Sequence, residues 1–433
     1  MKIIRWSIAP PDVTGQQRNN FLYVQIDAIG VGLSAAAATF LPVFLTRLGA
    51  SNSQIGLLTS MPAVTGLLLA LLVGRFLQNR RNIVPWFSLA RLLVVSAYAL
   101  TGLVVLHLPK GLQVTGVLLI WAVVTLPQTV LVVSFSVVMN AVAGPRKRYD
   151  LMSRRWSILG AVTAITVALA GVALDRIQFP LNYQVVFVSL SLGGLISFYF
   201  SRKIVLPEID IPMQNRGGGL GERFKDYWRL VRGESDFLRF SIQRFVFLSG
   251  SALAVPLFPL YYVRVVEAND AWIGIINTAQ SAVLLVGYFL WTCESHLRGS
   301  RFVLLWTTLG LTLYPALVAS TRNLALIVVF AAIAGIFQAG LDLVFFDELM
   351  KTVPIEYSAT FVSISQSLQY FSAVFSPMLG AWLAGIIGIH LALLVSAGIR
   401  LVGFGLFALW RPRGEKGLAK PVPAITLPLK RRK

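Results

Sequence analysis

An all-α integral membrane protein, with twelve transmembrane helices arranged as two related six-helix bundles, is the fold class this sequence predicts. Three observations carry the prediction. Apolar side chains make up 56% of the 433 residues and charged ones 13%, about half of the roughly 25% found in soluble domains. The mean hydropathy is +0.73. The apolar residues gather into twelve long runs, and the second six runs echo the first six.

The runs are 20–46, 53–77, 83–107, 112–140, 153–174, 181–202, 237–263, 270–293, 301–320, 323–350, 357–385 and 388–410. A helix crosses the hydrocarbon core with about 20 apolar residues. Membrane strands take only about 9–11, in strict alternation. The first run follows Lys2, Arg5 and Arg18. It outlasts the roughly 7–15 apolar residues of a signal peptide, and no small-residue cleavage site closes it. It is therefore expected to remain as the first helix. The expected organisation is an N-terminal segment over 1–19, one bundle over 20–202, a connection over 203–236, a second bundle over 237–410, and a basic tail over 411–433.

Basic residues orient the spans, because loops rich in Lys and Arg stay in the cytoplasm. The connections after spans 2, 4, 6 and 8 carry Arg80 and Arg81; Arg146, Lys147 and Arg148; Arg202, Lys203, Arg216, Arg223 and Lys225; and Arg298 and Arg301. Those after spans 1, 3, 5, 7 and 9 carry one each: Arg47, Lys110, Arg176, Arg264 and Arg322. Both termini are thus expected on the cytoplasmic side of a cell (plasma) membrane. In the central connection, Phe224, Tyr227, Trp228 and Val231 recur at helical spacing among basic residues, the pattern of a short helix lying on the membrane surface. The net charge of +20 sits in short clusters between apolar runs, so the expected partners are the lipid bilayer and a small-molecule substrate, not nucleic acid. A monomer is expected.

The halves align over FLPVFLTRLGASNSQIGLL (40–58) and LFPLYYVRVVEANDAWIGII (257–276), which match Pro42 with Pro259 and Arg47 with Arg264. Further along, Pro145 matches Pro354 and Gly171 matches Gly380, both at an offset of 209. Twelve spans, a basic central loop and a 6+6 repeat resemble the major facilitator superfamily (MFS). Residues 41–81 are similar to that family's first two helices and the loop after them, which usually holds a Gly-x-x-x-Asp-Arg-x-Gly-Arg-Arg type motif. Gly74, Arg80 and Arg81 fit it loosely, and Gln78 stands where Asp is expected. These four are the conformational-lock candidates. The second-half counterpart, WTCESHLRGSR (291–301), is also degenerate. Span 4 lacks the arginine of the family's proton-coupled drug exporters.

Charges inside membrane helices cost about 2.5–3.5 kcal/mol on insertion scales, so they face partners or wet cavities. Asp27 lies on a stripe with Asn20, Tyr23, Gly30 and Ser34. The repeat sets Gln243 and Arg244 against it in the second half. Two readings follow: a gating ion pair between halves with Arg244, or a static pair with Arg91 of span 3. Gln338 and Asp342 share a face of span 10. Asp342 is a candidate proton carrier, because removal from water favours the neutral form of an acid, and a helix-capping role is its alternative. Asp347 and Glu348 are expected to be solvated. Asn277, Gln280 and Tyr288 of span 8, and Gln366 and Tyr370 of span 11, could orient a substrate or bind helices together. Arg154 and Arg155, at the mouth of span 5, are expected to anchor lipid phosphate or to join the halves. Arg400 is expected to be structural.

The single cysteine, Cys293, permits no intramolecular disulfide, and no metal-ligand cluster, ATP motif or catalytic constellation is visible. No cofactor is expected, and no catalysis. The expected function is secondary transport of a small neutral, amphipathic or weakly cationic solute by alternating access, with protons as the candidate coupling ion and efflux favoured over uptake. The alternatives are a non-transporting scaffold or assembly factor, and a sugar or metabolite uptake permease.

Overall fold

The computed structural model describes residues 15–50, 52–206, 232–268 and 270–409. The expected surface helix near 223–232 and the basic tail fall almost wholly outside these residues. The helices are α1 (Gly15–Arg47), α2 (Asn52–Gln78), α3 (Val84–Val104), α4 (Lys110–Ala143), α5 (Arg148–Arg176), α6 (Leu181–Arg202), α7 (Ser235–Ala254), α8 (Leu257–Arg264), α9 (Asp270–Arg298), α10 (Ser300–Ala319), α11 (Leu324–Thr352), α12 (Ser358–Ile387) and α13 (Ile389–Leu409). Among the described residues, twelve stretches are long and apolar enough to span a membrane, with α7 and α8 together making the seventh.

The helices form because the bilayer leaves no other partner for backbone polar groups. Interior prolines at 42, 62, 127, 315 and 377 are tolerated for the same reason, since neighbouring helices shield the freed carbonyls. Within the first half, α1 packs on α5 and α6, and α3 packs on α4 and α6; in the second, α7 packs on α12 and α13, and α11 on α9 and α10. Close approach rests on glycine. A Cβ on Gly30 would stand 2.4 Å from the Gly193 carbonyl oxygen, and one on Gly335 would stand 2.2 Å from that of Gln280.

The halves meet through α2 on α12, α5 on α9 and α11, and α4 on α12. The named contacts run from mid-bundle to the end where α1 begins and α13 ends. Gly66 lies under the Tyr370 ring, Gly74 against Ser363, and Gly160 against Leu285. One buried apolar cluster fills the second half and crosses to Val138, Val142 and Met152 of the first. At the far end of the first half, Phe44, Trp121, Tyr183 and Phe187 form a separate cluster that is not shared. There α5 exposes Ile165 and Leu169, and α12 exposes Phe375, Met378 and Trp382.

This packing makes the contact at Gly74 sensitive to volume. A Cβ there would lie 2.2 Å from Ser363 Oγ and 3.0 Å from the Ala359 carbonyl oxygen. Overpacking of this kind costs about 1–3 kcal/mol. Gly74→Val is therefore expected to raise thiol labelling at Ser363→Cys in a Cys293→Ser background. Gly171→Ala, where nothing lies within 4 Å, is expected to leave labelling unchanged.

Candidate functional site

Asp27 is fully buried, and four helices converge on it. Arg155 of α5 donates from Nη2 to Asp27 Oδ2 at 3.4 Å. Arg91 of α3 places Nη2 at 3.7 Å from the same oxygen. Ser197 of α6 donates to Oδ1. Each arginine also lies against an aromatic ring, Arg91 at 5.1 Å from Phe87 and Arg155 at 4.6 Å from Phe135. The α1 stripe faces α6. Asn20 exchanges hydrogen bonds with the Val205 backbone just after that helix. Tyr23 packs on Phe200, and Gly30 fits against Gly193 and Ser197.

Of the two sequence readings for Asp27, the ion pair with Arg91 is present and the one with Arg244 is not. Arg155 is the additional partner. It is 3% exposed, so it neither anchors lipid phosphate nor joins the halves. The sequence missed it because four arginines and a lysine within 146–155 read as a solvent-facing run.

Arg244 stays within the second half. Its Nη1 donates to Ser365 Oγ at 2.6 Å and its Nη2 to Gln369 Oε1 at 3.0 Å, both on α12. Its guanidinium lies 5.7 Å from the Phe345 ring. Together with Ser241, Phe245, Leu248 and Leu368 these residues line a small pocket. Gln243 points elsewhere and donates to the Leu406 carbonyl on α13, so it joins helices and does not face the pocket.

Asp342 accepts from Gln338 Nε2 at 2.8 Å and from Tyr288 Oη at 3.2 Å. The Tyr288 ring packs at 5.5 Å on Trp156 of α5. That places the carboxylate one side chain away from the opposite half, and Trp156 adjoins Arg155 in sequence. Asn277 is exposed, while Gln280 and Gln366 are half-buried.

A polar network closes the end that carries the termini. Arg148 Nε donates to Asn140 Oδ1 at 2.7 Å. Its Nη1 reaches Asp347 Oδ1 at 3.3 Å, across the halves. Lys351 Nζ sits 2.8 Å from both Asp347 and Glu348. Asp347 and Glu348 are 4% and 6% exposed, which corrects the expectation that they are solvated. The signal lay in opposite charges at one depth, the basic run at 146–148 and the acidic pair at 347–348. His296 Nε2 lies 3.4 Å from Asp150 Oδ2. Gln78 Nε2 donates to the Glu356 carbonyl, so the residue standing in place of the family's Asp still bridges the halves. Arg80 packs on Phe76 and Trp86, and Arg81 is exposed. Among the described residues no cluster of His, Cys, Asp and Glu could hold a metal ion.

Comparison with known proteins agrees with this architecture. The family model described as Major Facilitator Superfamily matches residues 240–433. No curated protein matches the sequence. Among solved structures, the human organic anion transporter MFSD10 (TETRAN) is similar at 16% identity, with 92% of this chain and 100% of that chain covered and a TM-score of 0.71. A bacterial homologue of the iron transporter ferroportin, in an outward-facing state, shares 13% identity over 90% of this chain and 98% of its own, at 0.69. The proton:xylose symporter XylE shares 12% over 92% and 96%, at 0.68.

The Asp27 cluster yields a stability prediction. Removing one member of a buried charge cluster costs about 3–5 kcal/mol. Asp27→Asn should therefore lower the thermal unfolding temperature of the purified protein markedly. The double reversal Asp27→Arg with Arg244→Asp should be no more stable than the worse single variant, since the two side chains do not meet.

Proposed function

This chain has the major facilitator fold throughout and the superfamily's sequence signature over residues 240–433, and we propose that it is a secondary transporter that moves a small solute by alternating access. The observation that carries this reading is the uneven seam between the halves. They share a buried core at the end with the termini and keep separate cores at the other. Positive-inside orientation makes the sealed end cytoplasmic, so the cleft opens outward, as in the outward-facing ferroportin homologue. The cell membrane is the expected location and a monomer the functional unit.

Alternation then requires a seal that can be released. Beside the shared apolar core, the seal holds a few polar contacts: Arg148 with Asp347, Asp150 with His296, and Gln78 with the Glu356 backbone. Ligand or proton binding need supply only a few kcal/mol of difference between states to shift such an equilibrium. Asp342 suits the proton's role. It is a membrane-depth acid with no basic partner among the described residues, held by Gln338 and Tyr288, and Tyr288 touches Trp156 of the other half. A change in its charge therefore acts next to the surface that must separate.

Two measurements check this. Gln78→Cys with Glu356→Cys, in a Cys293→Ser background, should cross-link, and the bridge should suppress solute flux in proteoliposomes until it is reduced. Flux indifferent to the bridge would show that this end never opens. Asp342→Asn should abolish stimulation by a pH gradient while solute exchange persists; a mutant that still follows the gradient would place the proton elsewhere.

A further inference from the structure

We propose that Arg244, with Ser241, Ser365 and Gln369, forms a subsite for the carboxylate of an organic monoanion, and that this is the class of solute the protein carries. The inference rests on the transport reading for its physiological meaning and on the pocket alone for its chemistry.

The argument begins with counter-charges. Arg91 and Arg155 share Asp27, and Arg148 has Asp347. Arg244 has only neutral oxygens, from Ser365 and Gln369. A cation at membrane depth without an acid is costly. Arg400 is also without an acid, but it is 5% exposed and bonded to the Leu311 carbonyl, and it does not line the pocket. Arg244 does.

The hydrogen-bond inventory points the same way. Ser365 and Gln369 fix two corners of the guanidinium plane. Its Nε, and the hydroxyl of Ser241 one helical turn earlier, have no partner in the structure. Both can donate, and both belong to residues lining one pocket. A carboxylate supplies the acceptors they lack and the charge Arg244 lacks. Phe245, Leu248 and Leu368 make the rest of the lining apolar, which suits an organic acid with a hydrophobic body and not a small inorganic anion.

The internal repeat isolates the difference between the halves. Asp27 and Arg244 are equivalent by the first alignment. At the offset of 209, Arg155 falls on Ile364, beside Ser365. The first half thus carries a counter-ion on the helix where the second half carries a hydroxyl. The sequence favoured a neutral, amphipathic or weakly cationic solute because it offers few charges among many aliphatic and aromatic residues. With Asp27 committed elsewhere, that preference reverses.

The test is a thermal-shift titration of purified protein with benzoate and longer aryl-alkanoates, each against its isosteric neutral amide. Saturable stabilisation by at least one acid but not by its amide is expected. Arg244→Gln should weaken it about 10-fold or more, the usual scale for hydrogen bonds to a charged group, and Ser241→Ala should weaken it less. Arg244→Lys keeps the charge, guards against misfolding as the cause, and should retain part of the binding. Acids that stabilise wild type and Arg244→Gln equally, or amides that bind as well as acids, overturn the proposal. So does a panel in which no acid binds. Acid binding at Arg244 without flux in proteoliposomes would instead leave the subsite standing and remove the transport reading.

Discussion

Asp27 and the two arginines that share it hold the first half together. One carboxylate draws α3, α5 and α6 onto α1 in a place where water cannot compete. The arrangement carries one more positive charge than negative, which the rings of Phe87 and Phe135 partly accommodate. Its consequence reaches beyond local packing. By consuming Asp27 inside the first half, it leaves Arg244 in the second half without an acid. The surroundings of Arg244 are therefore set by a pairing made in the other half.

The seams within each half differ in kind from the seam between halves. Inside a half, glycines bring backbones nearly into contact at Gly30 with Gly193 and at Gly335 with Gln280. Such surfaces lose dispersion and hydrogen bonds at once if they part. Between the halves, the sealed end combines apolar burial with side-chain ion pairs that water can replace as they separate. A molecule built this way keeps its six-helix units intact while one end of their shared boundary exchanges solvent.

The fold was legible because the bilayer enforces it. Span length and helical structure follow from that single constraint, and the helix ends fall within a few residues of the apolar runs. Individual pairings were less accessible. The stripe of Asn20, Asp27 and Ser34 was visible, but a stripe says only that a helix has a polar face and not which neighbour it meets. Repeat symmetry suggested Arg244, whereas α6 and the buried Arg155 took the position. Arg155 and Asp347 were misread for one reason: charges near a span's end resemble solvated charges unless their partner, distant in sequence, is known. Gln338 and Asp342 were easier, because a four-residue spacing on one helix fixes the contact locally.

The halves correspond in plan but not in stiffness. α1 runs unbroken through Pro42 for 33 residues, while its counterpart divides into α7 and α8 around Val255 and Pro256. α12 approaches that break so closely that a Cβ on Gly380 would sit 2.3 Å from the Leu253 carbonyl oxygen. An uninterrupted helix transmits a push along its axis, whereas a jointed one absorbs it. The eight residues of α8 are held by Tyr261, which donates to the Ala319 and Thr321 carbonyls, so the second half ends in a short helix with its own anchor where the first has a single post.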